Sequence, residues 1–61
     1  MVDIGVWNGD NLEEMIEVCG INSVVYDTDE QTLYIYTDLG LVPVSIGTIV
    51  RYTKNGIIIE D

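Results

Sequence analysis

From residue 21 to residue 61 the chain consists of short β-forming runs separated by turn residues, and this pattern restricts the fold more than any other feature. In the clearest run, Leu33 and Ile35 alternate with Tyr34 and Tyr36, which is the period-two pattern of a strand. The predicted strands are residues 23–27, 32–37, 41–45, 48–52 and 57–59. Turns rich in Asp, Asn and Gly separate them, so consecutive strands are expected to pair antiparallel as a meander.

Two sequence features refine this prediction. Asn55-Gly56 predicts a tight two-residue turn of type I′, because that turn needs positive φ at both positions and Asn-Gly tolerates it. Pro43 cannot donate a ladder hydrogen bond. Its strand is therefore expected at a sheet edge, or with the proline nitrogen directed outward.

The first part of the chain predicts one short strand, within residues 2–7, and one α-helix at about residues 11–19. Asp10 with Glu13 predicts a capping box, and Asn11 with Glu14 offers the same arrangement one residue later. Gly20 is expected to end the helix in the left-handed conformation. Apolar residues recur at helical spacing: Leu12, Met15, Ile16 and Cys19.

These elements predict a single α+β domain over residues 1–61, with the helix packed on a small, mostly antiparallel meander sheet of four to six strands. A chain of about 60 residues buries only about 60% of its unfolded surface, so it is marginally stable alone. Cys19 is the single cysteine and the sequence has no histidine, so an intrachain disulfide or a structural zinc site is not expected. Oligomerisation remains as the source of additional stability.

The predicted sheet is apolar on both faces, and the short helix covers only part of one face. The other face is expected to close as a small barrel or to pack against a second copy, which predicts a homo-oligomer. The predicted interface residues are Tyr34, Tyr36, Tyr52 and Ile58. For the tyrosines, cross-strand packing within the sheet is the alternative.

Charge is distributed unevenly along the chain. Residues 1–31 contain eight acidic residues and no basic residue, whereas residues 32–61 contain three acidic residues and both basic ones, Arg51 and Lys54. An acidic half disfavours nucleic acid and membrane surfaces and favours a basic protein surface as partner. The predicted partner-binding residues are Glu13, Glu14, Glu17, Asp27, Asp29 and Glu30, with solubility as the alternative role of the charge.

No catalytic residue, cofactor or metal site is predicted. The glutamates of the helix are interpreted as its solvent-exposed face. The acidic turn lacks the central glycine and terminal glutamate of a calcium-binding loop. Cys19 lies on the apolar stripe, and the chain has no histidine to activate it as a nucleophile. Trp7 is expected in the core or against the helix start, with an exposed anchor for a partner as the alternative.

The sequence also bears on location. No apolar run approaches the roughly 18–20 residues of a membrane span. The N-terminus has no basic region followed by an apolar stretch, so a secretory signal is not expected. The prediction is a soluble protein of the host-cell cytoplasm with a reduced thiol.

The order of these motifs resembles a family of small uncharacterised proteins of phages and prophages of Gram-positive bacteria. The matching residues are Trp7-Asn8-Gly9-Asp10-Asn11, Glu13-Glu14, Gly20, Leu33-Tyr34-Ile35-Tyr36-Thr37, Val44-Ser45-Ile46-Gly47 and Asn55-Gly56. The chain departs from the family pattern at Thr48, where the family has Asp, and it stops before the family's Tyr-Pro-Cys-Lys-Pro segment. The resemblance implies a phage origin and no established activity.

Three functional hypotheses follow. The first is a non-enzymatic phage accessory protein that binds and inhibits a host protein, such as a defence or nucleic-acid-processing enzyme, through its acidic surface. The second is an oligomeric protein that sequesters a nucleotide-like signal, with Arg51, Lys54 and the tyrosines lining the pocket. The third is a structural or regulatory phage protein without an inhibitory role.

Overall fold

The computed structural model describes residues 3–60, which form six strands, one α-helix and a short 3₁₀ turn. The start of the predicted first strand, at Val2, lies outside the described residues. In chain order the elements are β1 (Ile4–Val6), α1 (Leu12–Cys19), the 3₁₀ turn (Ile21–Ser23), β2 (Val24–Asp27), β3 (Thr32–Thr37), β4 (Gly40–Val44), β5 (Ile49–Thr53) and β6 (Gly56–Glu60).

The strands form two antiparallel three-stranded sheets, and the helix packs against both. The first sheet has the order β1-β5-β6, and the second is the meander β2-β3-β4. The α+β class predicted from the sequence is therefore confirmed, and so is the edge position of the strand that contains Pro43. A turn at residues 45–48, with Gly47 at φ +96°, separates β4 from β5 and so lies between the two sheets.

The N-cap of the helix lies one residue after the first predicted cap, Asp10. Asn11 occupies the N-cap position, yet its side chain makes no capping hydrogen bond, so neither predicted capping box forms. Asn11 instead accepts from the Asn8 backbone N–H at 2.8 Å and donates to the Val6 carbonyl oxygen at 2.7 Å. The prediction for Gly20 is also wrong in detail, since its φ of +95° is combined with an extended ψ of 146°.

The core lies between the helix and the two sheets. Met15, Leu33, Ile35 and Val50 are fully buried, and they come from α1, β3 and β5. Trp7 is 2% exposed and packs edge-on against Tyr26 at a centroid distance of 5.9 Å, so its predicted place in the core is confirmed. The complete buried apolar cluster is Trp7, Met15, Val18, Cys19, Leu33, Ile35, Val44 and Val50.

The β3–β4 and β5–β6 hairpins share the turn sequence Tyr-Thr-x-x-Gly, at residues 36–40 and 52–56. In each turn the threonine hydroxyl donates to the glycine carbonyl oxygen and accepts from the backbone N–H of the residue before that glycine. The glycines, Gly40 and Gly56, have φ of +103° and +123° and open the following strand. The type I′ prediction at Asn55-Gly56 is therefore wrong: the loop residues are Lys54 and Asn55, and Asn55 has no positive φ.

Replacing either turn glycine by alanine is expected to lower the free energy of unfolding by about 1–3 kcal/mol, because an L-residue is strained at these φ values. Gly56→Ala should cost more than Gly40→Ala. A Cβ at Gly56 would meet the Asp38 carboxylate at 3.3 Å, whereas a Cβ at Gly40 would meet nothing within 4 Å. Urea denaturation measures both, with Thr28→Ala in an exposed turn as the control. Equal and negligible losses at the two glycines would contradict the turn geometry.

Candidate protein-interaction surfaces

The helix presents three exposed glutamates, Glu13, Glu14 and Glu17. Glu14 is the most constrained of them, because the Asn11 side-chain amide donates to its Oε1 at 3.2 Å. Its other carboxylate oxygen lies over β1, at 2.7 Å from the position of a Cβ on Gly5. Glu13 and Glu17 are one turn apart, a like-charge spacing that weakens an isolated helix. The repulsion between Glu13 and Glu17 therefore lowers the stability of the helix.

The predicted acidic turn between β2 and β3 contains two kinds of carboxylate. Asp27 is half-buried, and its Oδ1 accepts from the backbone N–H groups of Asp29 and Glu30 at 3.0 and 3.1 Å. Asp27 thus shapes the turn, which Gln31 completes at a φ of +54°. Asp29 and Glu30 are exposed, so they are the members of this group that present free charge.

Basic side chains do not compensate these two acidic groups. The ion pair in the described part of the chain joins Arg51 to Glu60 at 3.4 Å, with both side chains about half exposed on the first sheet. Lys54 is exposed in the β5–β6 turn. Throughout residues 3–60 no acidic residue of the helix or of the β2–β3 turn forms an ion pair. Their summed negative potential therefore reaches solvent without a local counter-charge.

The residues predicted as an oligomer interface fall into two groups. Tyr34 and Tyr36 share the outer face of β3, opposite to the buried Leu33 and Ile35. That face continues onto the neighbouring strands, where Val25 and Pro43 pair with Tyr34 and Leu41 pairs with Tyr36.

The other two predicted interface residues belong to the first sheet. Ile58 pairs with Arg51 on the outer face of that sheet. Tyr52 follows Val50 by two residues, so both side chains lie on the core-facing side of the first sheet. Val50 is buried there, whereas Tyr52 is at the exposed end of that side. The four residues therefore do not form one surface. Alternation within a strand is readable from sequence, whereas the assignment of strands to different sheets is not.

An apolar groove of about 550 Å³ lies between the β3–β4 hairpin and β6, and the sequence did not indicate it. Its walls are Thr37, Asp38, Leu39 and Val42 on one side and residues 57–59 on the other. Leu39 is 93% exposed at the tip of the hairpin. The one available signal was a leucine in a turn, where polar residues are usual.

Chemical groups suited to catalysis are sparse in the described range. Residues 3–60 contain no group of three or more acidic, cysteine or histidine side chains that could hold a metal ion. Cys19 is a buried free thiol, as predicted, and burial raises its pKa to about 11. Between residues 3 and 60 no helix reaches the length and hydrophobicity of a membrane span.

Comparison with known proteins identifies no relative: no protein-family model, curated protein or solved structure matches the chain. The surfaces and charges described above are therefore the basis for a functional proposal.

The Cys19 thiol should make stability fall at alkaline pH. Its pKa is raised from 9.0 to about 11 in the folded protein, so the native state holds a proton that the unfolded chain releases between these values. Stability is full below pH 9 and declines by up to roughly 2 kcal/mol as the pH rises to 11. Urea denaturation of wild type and Cys19→Ala across pH 8–11 isolates this contribution, because the two proteins differ only in this thiol. Parallel curves would contradict it.

Proposed function

We propose that this protein is a small, non-enzymatic binding protein that docks its acidic surface on a basic region of a host protein and thereby inhibits it. The observation that carries the proposal is the uncompensated charge on α1 and on the β2–β3 turn. The resemblance to small phage and prophage proteins supports a host protein as the target. A basic surface that normally meets nucleic acid, in the host cytoplasm, has the complementary charge.

Energetics favour a role for this charge beyond solubility. Glu13 and Glu17 repel each other within one helix, and the chain has a formal net charge of −9 over 61 residues. Self-repulsion of this kind destabilises a compact state. The same charge accelerates association with a basic partner, and this gain falls as salt screens it.

The test combines affinity capture from a Gram-positive host lysate with two variants of matched charge. One variant is Glu13→Gln, Glu14→Gln and Glu17→Gln; the other is Asp27→Asn, Asp29→Asn and Glu30→Gln. Each removes three negative charges, and each keeps the acceptor oxygens that Asn11 and the turn N–H groups contact. Docking through a defined acidic surface predicts that one variant loses at least tenfold in affinity for the captured protein and loses most of its salt dependence.

Two outcomes would contradict the proposal. Equal, small effects of both variants would assign the charge to solubility. A co-purified ultraviolet-absorbing small molecule, without a host protein, would instead support sequestration of a nucleotide-like signal.

We further propose that the protein self-associates through the outer face of the second sheet. Val25, Tyr36 and Leu41 are 43%, 51% and 44% exposed on this face, where they form apolar rows with Tyr34 and Pro43; Asp27 lies at the end of the face, opposite Thr32. Covering contiguous apolar area contributes roughly 25 cal/mol per Å², which is substantial for so small a domain.

Light scattering coupled to gel filtration checks this proposal. Tyr36→Ser with Leu41→Ser should shift a dimer or larger assembly to a monomer. Tyr52→Ser is the matched control, because Tyr52 is also 51% exposed but belongs to the first sheet, and it should leave the mass unchanged. A wild-type monomer at micromolar concentration would contradict self-association. Dissociation by Tyr52→Ser alone would place the interface on the other sheet.

A further inference from the structure

Each sheet has two edge strands, and three of the four edges are protected from pairing with another chain. β1 has three residues and contacts the helix, and β2 also contacts the helix. β4 contains Pro43. β6 contacts β3 of the other sheet, but it has the sequence Gly-Ile-Ile-Ile-Glu with no proline, and it is hydrogen-bonded to a neighbouring strand on one side only. Proteins usually block such an apolar edge, so an unblocked one requires an explanation.

The two hairpins allow β4 and β6 to be compared position by position. Thr37 pairs with Gly40 across a two-residue loop, and Thr53 pairs with Gly56 in the same way. From these pairs onward, hydrogen-bonded and non-hydrogen-bonded pairs alternate along each hairpin. Pro43 and its counterpart Ile59 both fall in non-hydrogen-bonded pairs, so their backbone nitrogens point away from the partner strand and toward the open edge. Pro43 therefore removes a donor from the open edge of β4, while Ile59 retains one on the open edge of β6.

The apolar groove runs along this open edge. Its wall includes residues 57, 58 and 59 in succession, and side chains of successive strand residues point to opposite faces. Ile57 and Ile59 lie on the face that packs against the core and Ile58 lies on the outer face, so the groove opens between the inner faces of the two sheets and extends to the edge of β6. The opposite wall is formed by the β3–β4 hairpin, including the 93% exposed Leu39. The space thus combines unpaired backbone groups with apolar walls.

The charge at this site favours a cationic occupant. Asp38 is the charged residue that lines the groove, and its carboxylate lies beside Gly56, at the start of β6. Glu60 ends the same strand, where its carboxylate is paired with Arg51. A second copy fits poorly, because antiparallel pairing of two β6 strands centred on Ile58 would place Glu60 opposite Gly56 and beside Asp38 of the other copy. A segment with Lys or Arg at the end that lies beside Asp38 has the complementary charge.

We propose that β6 accepts an extended segment of a partner protein as an additional strand, and that this segment has apolar side chains and a basic residue at the end that lies beside Asp38. The backbone of β6 supplies the hydrogen bonds, the groove receives alternate apolar side chains, and Asp38 selects a cation at one end. The site is distinct from the acidic helix and the β2–β3 turn, so it stands or falls independently of the function proposed above.

The test uses a blocked six-residue peptide of alternating Val and Thr with Lys at both ends, and the same peptide with Glu at both ends. Titration of isotope-labelled protein, followed by amide NMR shifts, should show the Lys peptide moving the signals of Gly56–Glu60 and of residues 37–42. The Glu peptide should bind more weakly. Asp38→Asn should weaken the Lys peptide about two- to fivefold, the range for one exposed ion pair. Asp10→Asn, at an exposed residue outside both proposed surfaces and with the same change in net charge, should have no effect.

Ile59→Pro transfers the block of β4 to the equivalent position of β6 and should abolish binding, while amide shifts outside β6 confirm that the variant is folded. If Ile59→Pro does not fold, Asp38→Asn and the Glu peptide decide the question. Three results would overturn the proposal: no β6 shifts at millimolar peptide, equal affinity for the Lys and Glu peptides, or unchanged binding by folded Ile59→Pro. Concentration-dependent β6 shifts without peptide would also overturn it, by identifying a second copy as the occupant.

Discussion

The backbone pairing of Trp7 with the β4–β5 turn is the interaction on which the rest of the structure depends. The Trp7 N–H donates to the Thr48 carbonyl oxygen at 3.0 Å, and the Gly47 N–H donates to the Trp7 carbonyl oxygen at 2.7 Å. These bonds continue the β1–β5 ladder and direct the chain into the first sheet. The Trp7 ring then packs on Tyr26 of the second sheet. Loss of a buried Trp side chain costs about 3–5 kcal/mol, comparable to the whole stability of a domain of this size.

The same junction explains why part of the fold was predictable and part was not. The helix, the strand positions, buried Cys19 and the edge strand containing Pro43 follow from local periodicity and from the missing N–H of proline. The capping box was mispredicted because the Asn11 side chain forms hydrogen bonds with the backbone of Asn8 and Val6 and not with the helix N-terminus. The two-sheet division depends on the contact between residue 7 and residues 47–48, which no local pattern encodes. Long-range pairing thus decided the two-sheet division, whereas contacts three and five residues away decided the cap.

The residues of the candidate surfaces also differ in whether they could be identified from sequence. Glu13, Glu17, Asp29 and Glu30 were identified from sequence because charged residues in helices and turns are almost always exposed. Sequence did not reveal that Asp27 and Glu14 are held in place by hydrogen bonds, because these bonds are seen only in the folded chain. The groove was not predictable, because it forms where Asp38 and Leu39 of one hairpin meet β6 of the other. Two hairpins with the same turn sequence acquire different edges through a single pair of positions, Pro43 and Ile59.

The carboxylates near β6 connect solubility with recognition. An open edge of three isoleucines is a template for pairing with an identical edge, and proline at residue 59 would have blocked it, as Pro43 blocks β4. Asp38 acts differently under the proposed strand addition, because it opposes another copy of this acidic chain while leaving the backbone donors and acceptors of β6 intact; Glu60, at the other end of the strand, is paired with Arg51. A charge beside a strand thus discriminates between occupants in a way that a proline cannot, because a proline removes the backbone donor for every occupant. Under the two proposals made above, β6 would take a basic segment, whereas self-association would use the apolar rows of Val25, Tyr36 and Leu41 on the outer face of the second sheet.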